Sequence, residues 1–300
     1  MDETGAGWLT RIIVDFVANS SENSLRMETG EKAFDEVLVG FSSGSDPLYQ
    51  TYKEVVGEDH WTPREAFSVK FPESRTEPEE LAVISWVLPQ REATKQDNRK
   101  ETFYPSRRWV QARFPGEEFN NALRRHVVAR LELQGIQAVA PLILPEWKWV
   151  KSEKFVFSSY WSERHAAYAA GLGTFGLCDG LITAKGKAHR AGSVVAKLRV
   201  SPSPRPYEDH HAYCLFFFDG SCTGCRKRCP VEAITEKGHD KVKCWDHAGG
   251  TCAKFVKEHY GFDGYGCGLC QTGVPCESGI PPKILKAIGR LPMVAPTGKV

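Results

Sequence analysis

The cysteines of this sequence are concentrated in one part of the chain, and their spacing is that of metal or cluster ligands. All ten lie between residues 178 and 276 of a chain of 300 residues. Seven have ligand-like spacing: Cys222, Cys225, Cys229, Cys244, Cys267, Cys270 and Cys276. The first three follow the pattern C-x2-C-x3-C with a proline directly after. A thiol cluster in a chain of this length indicates metal or redox chemistry rather than the disulfide framework of a short secreted protein.

The first motif resembles that of bacterial two-cluster ferredoxins, in which the cysteine before the proline ligates the other cluster. By this crossed arrangement, the first 4Fe–4S cluster receives three ligands, from Cys222, Cys225 and Cys276. The second 4Fe–4S cluster receives a complete set of four, from Cys229, Cys244, Cys267 and Cys270. The region 219–278 is therefore expected to hold two clusters in a ferredoxin-like module.

The fourth ligand of the first cluster has several candidates. Asp219 stands where the first cysteine of C-x2-C-x2-C-x3-C-P would lie. Cys214, with seven residues between it and Cys222, is a second candidate, and Cys252 is less favoured by its order in the chain. An iron site left open is the remaining possibility.

Structural zinc is the alternative to iron and sulfur, because two C-x2-C pairs suffice to bind it. Zinc would leave several cysteines unexplained, and the two pairs are farther apart than in a zinc ribbon. We therefore favour clusters, and we expect Cys178 to be a buried structural thiol.

The elements before the cysteines alternate between strands and helices, as in α/β domains. Helical periodicity covers Trp8 to Val17 and Phe119 to Leu131, and a further helix is expected over 162–170. Strands are expected over 37–41, 81–88, 136–144, 181–184 and 193–200. The proline-rich stretch 201–207 predicts a boundary between an α/β domain, 1–200, and a two-cluster domain, 201–300.

The segment 89–108 is strongly polar and carries a local excess of positive charge, which is typical of a solvated loop or of a lid over a substrate. Its basic residues are Arg91, Lys95, Arg99, Lys100, Arg107 and Arg108.

Composition limits the partners and the location. The formal net charge is +2, far below the basic excess of a dedicated nucleic-acid binder, so such a partner is not expected. The sequence has no export signal or twin arginine at its start and no apolar run of membrane-spanning length. We therefore expect a cytoplasmic protein without a membrane partner.

Two segments resemble the cobalamin-dependent epoxyqueuosine reductases and their reductive-dehalogenase relatives. The match spans 158–281 and includes the cysteine motifs. One segment is Ser158-Ser159-Tyr160-Trp161-Ser162-Glu163-Arg164-His165. The other is Ala170-Gly171-Leu172-Gly173-Thr174-Phe175-Gly176, similar to the family's A-G-L-G-x-x-G. Cys276 departs from the family, because it follows its motif after five residues and precedes Glu277 rather than proline.

The resemblance implies a corrinoid (cobalamin) cradled by the α/β domain, with Ser158, Gly171, Gly173 and Gly176 as cofactor-binding residues. The epoxyqueuosine reductases carry an aspartate proton donor just before the serine matched by Ser158, whereas this chain has Phe157. An apolar side chain cannot donate a proton, so the epoxide substrate is in doubt.

Another proton donor is needed if substrate is reduced, and the nearby candidates are Tyr160, Arg164, His165 and Tyr168. We therefore hypothesise that the protein is an iron–sulfur reductase that reduces a small molecule and receives its electrons from a ferredoxin- or flavodoxin-type donor. The alternative is an electron carrier without substrate chemistry of its own.

Overall fold

The computed structural model describes residues 5–152 and 156–288. Its helices are α1 Ala6–Asn19, α2 Leu48–Val55, α3 Pro63–Lys70, α4 Glu92–Lys100, α5 Arg107–Glu132, α6 Glu163–Ala169, α7 Leu215–Asp219, α8 Gly224–Lys227, α9 Lys241–Trp245, α10 Cys252–Phe255 and α11 Pro282–Ile288. Its strands are β1 Leu38–Ser43, β2 Leu81–Pro89, β3 Ala138–Val139, β4 Trp149–Ser152, β5 Val156–Ser159, β6 Gly173–Phe175, β7 Leu181–Thr183, β8 His189–Lys197, β9 Ile234–Thr235 and β10 Gly238–His239. The mixed α/β character expected from the sequence is confirmed.

A four-stranded sheet in the order β1-β2-β8-β3 forms the centre, and each neighbouring pair of strands is antiparallel. All nine residues of β2 are buried, because helices cover both faces of the sheet. Ile84 and Trp86 face a core that includes residues of α1 and α5. Val83 and Val87 face the other core, to which α3 and α6 contribute. The second core continues into Cys225 and Ile284 near the end of the chain.

The expected elements are largely present. The helix from Trp8 to Val17 is α1, and the strand over 81–88 is β2. The helix from Phe119 to Leu131 belongs to α5, which begins at Arg107 and runs through Pro115.

Two expectations on elements were wrong. Only Ala138–Val139 of the apolar run 136–144 is a strand, because a one-turn 3₁₀ helix starts at Pro141. The polar segment 89–108 is not a loop, because α4 and the start of α5 occupy most of it. Helix α4 is held by buried polar contacts: Asn98 donates to Thr272 at 3.1 Å, and Lys95 donates to Ser278 at 2.8 Å.

A buried ionic network joins α5, α6 and β8. The side chain of Arg124 is completely buried and lies 2.8 Å from Glu117 and 3.0 Å from Glu163. Arg190 of β8 donates to the second oxygen of Glu117 at 2.7 Å. Buried charges are costly unless they are paired, so this network fixes the packing of helix against sheet.

Candidate functional site

Nine of the cysteines line two cavities: a first set of four at the smaller cavity, and a second set of four together with Cys178 at the larger one. The smaller cavity, of about 20 Å³, is lined by Cys214, Cys222, Cys225 and Cys276. The larger cavity, of about 600 Å³, is lined by Cys229, Cys244, Cys267 and Cys270, and also by Cys178. The first set combines the three ligands expected for the first cluster with the candidate Cys214, and the second set is the one expected for the second cluster.

The elements around the smaller cavity bring together cysteines that are distant in sequence. Cys214 directly precedes α7, and Cys225 lies in α8. Cys222 accepts a hydrogen bond on its sulfur from the amide of Gly224 at 3.5 Å. Amide hydrogen bonds to ligand sulfurs are one means by which proteins set cluster potentials.

The cysteines of the larger cavity also have polar neighbours. Cys229 accepts from the amide of Ala233 at 3.2 Å. Burial alone would lower the pKa of His239, but hydrogen bonds to Asp179 and Cys244 raise it to about 10. A hydrogen bond to Cys267 raises the pKa of His247 despite its burial. Both histidines therefore favour negative charge on the sulfurs beside them.

The C-x2-C loop of the second set is shaped by a glycine. Gly268 has a φ of +69°, and a Cβ there would lie 1.9 Å from the Trp109 ring. Only glycine allows the indole to pack against the loop between Cys267 and Cys270.

Asp219 and Cys252 lie outside the smaller cavity. Asp219 is exposed, pairs with Lys283, and accepts from the amide of Ser221 at 2.9 Å. The Lys283 and Ser221 contacts lower its pKa to about 2. Cys252 is buried with its sulfur 3.4 Å from the His247 ring, on the side of the second set.

Lys187 and Cys178 lie between the two sets, and sequence reasoning gave neither a site role. The Nζ of Lys187 is 3.3 Å from the sulfur of Cys178, and both side chains are buried. Cys178 is also within hydrogen-bonding reach of Cys225 in one set and Cys270 in the other. Burial opposes the charge of Lys187, yet the thiols around it, led by Cys178, hold the pKa of the ammonium well above its ordinary value.

Beyond its cysteines, the larger cavity is lined by aromatic and basic side chains. Tyr265 lies here with the Arg113 guanidinium 4.5 Å from its ring centroid, and Phe157 lies near Trp245. In the part of the chain that the structure describes, no carboxylate is within ion-pair distance of Arg113.

The pair formed by Arg113 and Tyr265 was not predicted from the sequence. Its signals were the i, i+4 spacing of Arg113 and Trp109 on one helix, and the position of Tyr265 two residues before Cys267.

Of the four expected catalytic residues, Arg164 lines the larger cavity, where it donates to the backbone oxygen of Asp179. Tyr160, His165 and Tyr168 are not among the residues that line it. His165 is half-buried, and its Nδ1 lies 2.8 Å from the hydroxyl of Ser162. Burial lowers its pKa well below the ordinary value. Tyr168 packs against Tyr207, and Tyr160 against Trp61.

The expected cofactor-binding residues are packed against the protein itself. A Cβ on Gly171 would lie 2.3 Å from the oxygen of Pro204, and one on Gly173 would lie 2.3 Å from the oxygen of Ile182. Gly176 lines the smaller cavity, and Ser158 is buried against Gly57. Gly171 and Gly173 thus lie in close contact with the backbone of other segments of the chain.

Within residues 5–152 and 156–288, no group of three or more histidine, cysteine or acidic side chains is placed to hold a single metal ion. The ligands of a 4Fe–4S cluster bind four different irons, so they need not converge on one point. None of the described helices combines the length and the apolar content needed to cross a membrane.

Neither a family model nor a curated protein matches this chain. Among solved structures, a selenomethionine-labelled epoxyqueuosine reductase is 16% identical, with a TM-score of 0.47 over 93% of this chain and 70% of that one. The catabolic reductive dehalogenase NpRdhA is 15% identical, with a TM-score of 0.47 over 84% of this chain and 31% of that one. Epoxyqueuosine reductase from Bacillus subtilis is 15% identical, with a TM-score of 0.44 over 92% of this chain and 67% of that one. The solved structures to which this chain is similar thus include both families that its sequence motifs resemble.

Proposed function

We propose that this protein is an iron–sulfur oxidoreductase that passes electrons through two 4Fe–4S clusters to a small molecule in the larger cavity. The observation that carries this proposal is that two cavities separate the two sets of four cysteines, with Cys178 as a fifth cysteine at the larger cavity. That division follows the crossed ligation of two-cluster ferredoxins, in which a cysteine preceding proline belongs to the other cluster.

The first cluster would be held by Cys214, Cys222, Cys225 and Cys276, and the second by Cys229, Cys244, Cys267 and Cys270. The chemistry that these clusters supply when bound is one-electron transfer. The ligands of both come from 214–276, in line with a two-cluster domain over 201–300 that follows a substrate-binding domain over 1–200. Arg226 and Lys227 beside the first set would attract an acidic donor of the ferredoxin or flavodoxin type.

A molecule bound in the larger cavity would lie next to the second cluster, because the cysteines of the second set line this cavity and the cavity is large enough for a substrate. Arg113 and Arg164 would bind an anionic group, since a guanidinium without a carboxylate partner is free to pair with a ligand. The aromatic side chains of Phe157 and Trp245 would contact an apolar part of the bound molecule. The hydroxyl of Tyr265, beside Arg113, is the proton donor that the cavity offers in place of the aspartate replaced by Phe157.

Anaerobic purification followed by iron, sulfide, zinc and cobalt analysis tests the proposal. We expect about eight irons with matching sulfide in each chain, four for each cluster. Stoichiometric zinc without sulfide would overturn it. Cobalt bound after incubation with cobalamin would identify the corrinoid that the resemblance implies, whereas its absence would leave Tyr265 and the cavity residues to act on substrate directly.

Ligand binding separates a reductase from a simple electron carrier. Benzoate and its neutral counterpart benzamide are titrated into the cluster-loaded protein by calorimetry. We expect benzoate to bind at least about tenfold more tightly, which corresponds to about 1.4 kcal/mol, and we expect Arg113→Met to abolish the difference. Equal binding, or no binding, would favour the electron carrier.

A further inference from the structure

Lys187 is a buried cation at the wall of the smaller cavity. Its residue is 3% exposed, and its Nζ donates to the sulfur of Cys178 at 3.3 Å. No carboxylate among the described residues lies within ion-pair distance of it. A buried ammonium without an anion is strongly unfavourable, so the negative charge must come from groups nearby.

The groups around this ammonium are thiols of both sets. Lys187 is within hydrogen-bonding reach of Cys276, a proposed ligand of the first cluster. Its partner Cys178 reaches Cys225 of the first cluster and Cys270 of the second. Lys187 lines the smaller cavity and Cys178 lines the larger one, so this pair forms part of the wall between them.

The backbone fixes Lys187 in this position. The turn between β7 and β8 contains Gly186 at φ +82°, where a Cβ would lie 2.1 Å from the carbonyl oxygen of Glu277. The amide of Lys187 donates to the oxygen of Cys276 at 3.0 Å, and that of Ala188 to the oxygen of Glu277 at 3.2 Å. The backbone of Lys187 is therefore anchored to the segment that carries Cys276.

We propose that Lys187 and Cys178 form a charge-compensating pair between the two clusters, and that this pair sets their reduction potentials. The inference rests on the proposed function and goes beyond it by assigning residues that ligate neither cluster. Hydrogen bonds to ligand sulfurs and nearby charge are the protein's means of tuning cluster potentials. Lys187 and Cys178 are thus positioning residues that act through Cys276, Cys225 and Cys270.

The sign of the effect follows from charge. A cluster gains negative charge on reduction, and a nearby ammonium stabilises the reduced form, which raises the potential. Because Lys187 lines the smaller cavity, the first cluster should feel its charge more strongly than the second. Cys178 touches one ligand of each cluster, so its removal should shift both potentials.

The test is a redox titration of the anaerobically purified protein, followed by electron paramagnetic resonance. We expect Lys187→Met to keep the iron and sulfide content of the wild type and to lower the midpoint potential of the first cluster. Lys187→Arg should restore most of that potential because it keeps the charge. Lys185→Met, on the exposed part of the same turn, is the matched control and should leave both potentials unchanged.

Unchanged potentials in a Lys187→Met protein with full iron and sulfide would overturn this inference and leave the proposed function intact. If Lys187→Met loses iron, Cys178→Ala provides the second measurement, in which we expect both potentials to move and unchanged potentials would again count against the pair. A wild type without iron and sulfide would overturn the proposed function itself, and this inference with it.

Discussion

Cys214 and Asp219 lie at the two ends of one short helix, α7, and their surroundings differ in the ways that matter for a cluster ligand. Cys214 is buried at the smaller cavity beside the space enclosed by Cys222, Cys225 and Cys276. Asp219 is exposed, and its carboxylate already has a cation and an amide as partners. Cys214 is therefore better placed than Asp219 to be the fourth ligand of the proposed first cluster.

Replacing each of these residues tests that assignment. We expect Cys214→Ser to lower the iron content from about eight to about four atoms, because one cluster loses a ligand. Asp219→Ala should keep the full iron content. Iron analysis and electron paramagnetic resonance of both proteins provide the measurement. Loss of a cluster in Asp219→Ala, together with an intact Cys214→Ser, would reverse the assignment.

The residues of the candidate site differ in how far the sequence could predict them. Motif spacing identified the cysteines of both sets apart from Cys214, because ligand spacing is a local property of the chain. The choice between Cys214 and Asp219 depended on burial, which spacing does not encode. Lys187 and Tyr265 were missed because each reaches the site through a tertiary contact.

At the scale of elements, the loop between Cys267 and Cys270 depends on the long helix α5. Trp109 in the first turn of α5 packs directly against Gly268. The same helix carries Arg113 one turn later, so one helix face supplies both the packing surface of the loop and a basic residue of the larger cavity.

We expect Gly268→Ala to disrupt the second cluster selectively. The new methyl group would overlap the Trp109 ring, and the positive φ would be strained by any side chain, at a cost of about 1–3 kcal/mol. The measurement is iron content together with the spectrum of each cluster. Gly250→Ala is the control, because the space around Gly250 is open and its φ is not positive. Equal cluster content in the two variants would show that the loop tolerates the change.

Helix α4 was not predicted from the sequence, and its composition explains why. Its residues are almost all polar, so no apolar periodicity marks it. The helix is instead stabilised by polar contacts to the segment after Cys270, including the buried contact of Asn98 with Thr272 and the partly buried contact of Arg99 with Glu277. The strands of the central sheet were predictable because their apolar runs are local, whereas these contacts join parts of the chain that are far apart in sequence.

For the whole molecule, the network around Arg124 links stability to pH. Burial opposes ionisation of Glu117, but the charges of Arg190 and Arg124 lower its pKa to about 2. A carboxyl group whose pKa is lower in the folded than in the unfolded protein stabilises the fold above its unfolded pKa, near 4.3. This contribution is lost as the pH falls from about 4 towards 2.

Glu117→Gln should therefore be less stable than the wild type at pH 7, by about 3 kcal/mol, because Arg190 loses its carboxylate partner and Arg124 keeps only Glu163. The difference between the two proteins should shrink as the pH falls from about 4 towards 2. Urea unfolding at several pH values measures it, and comparison with the wild type cancels the acid sensitivity that both proteins share. A difference that stays constant with pH would show that Glu117 does not titrate in this way.

The spread of each cysteine set along the chain has a consequence for biosynthesis. The first set extends from Cys214 to Cys276, and the second from Cys229 to Cys270. During translation the upstream thiols of both sets emerge long before their last partners, although the central sheet is already complete at β8. Insertion of both proposed clusters is therefore complete only after residue 276 has left the ribosome, and until then the nascent chain exposes thiols that need protection from oxidation.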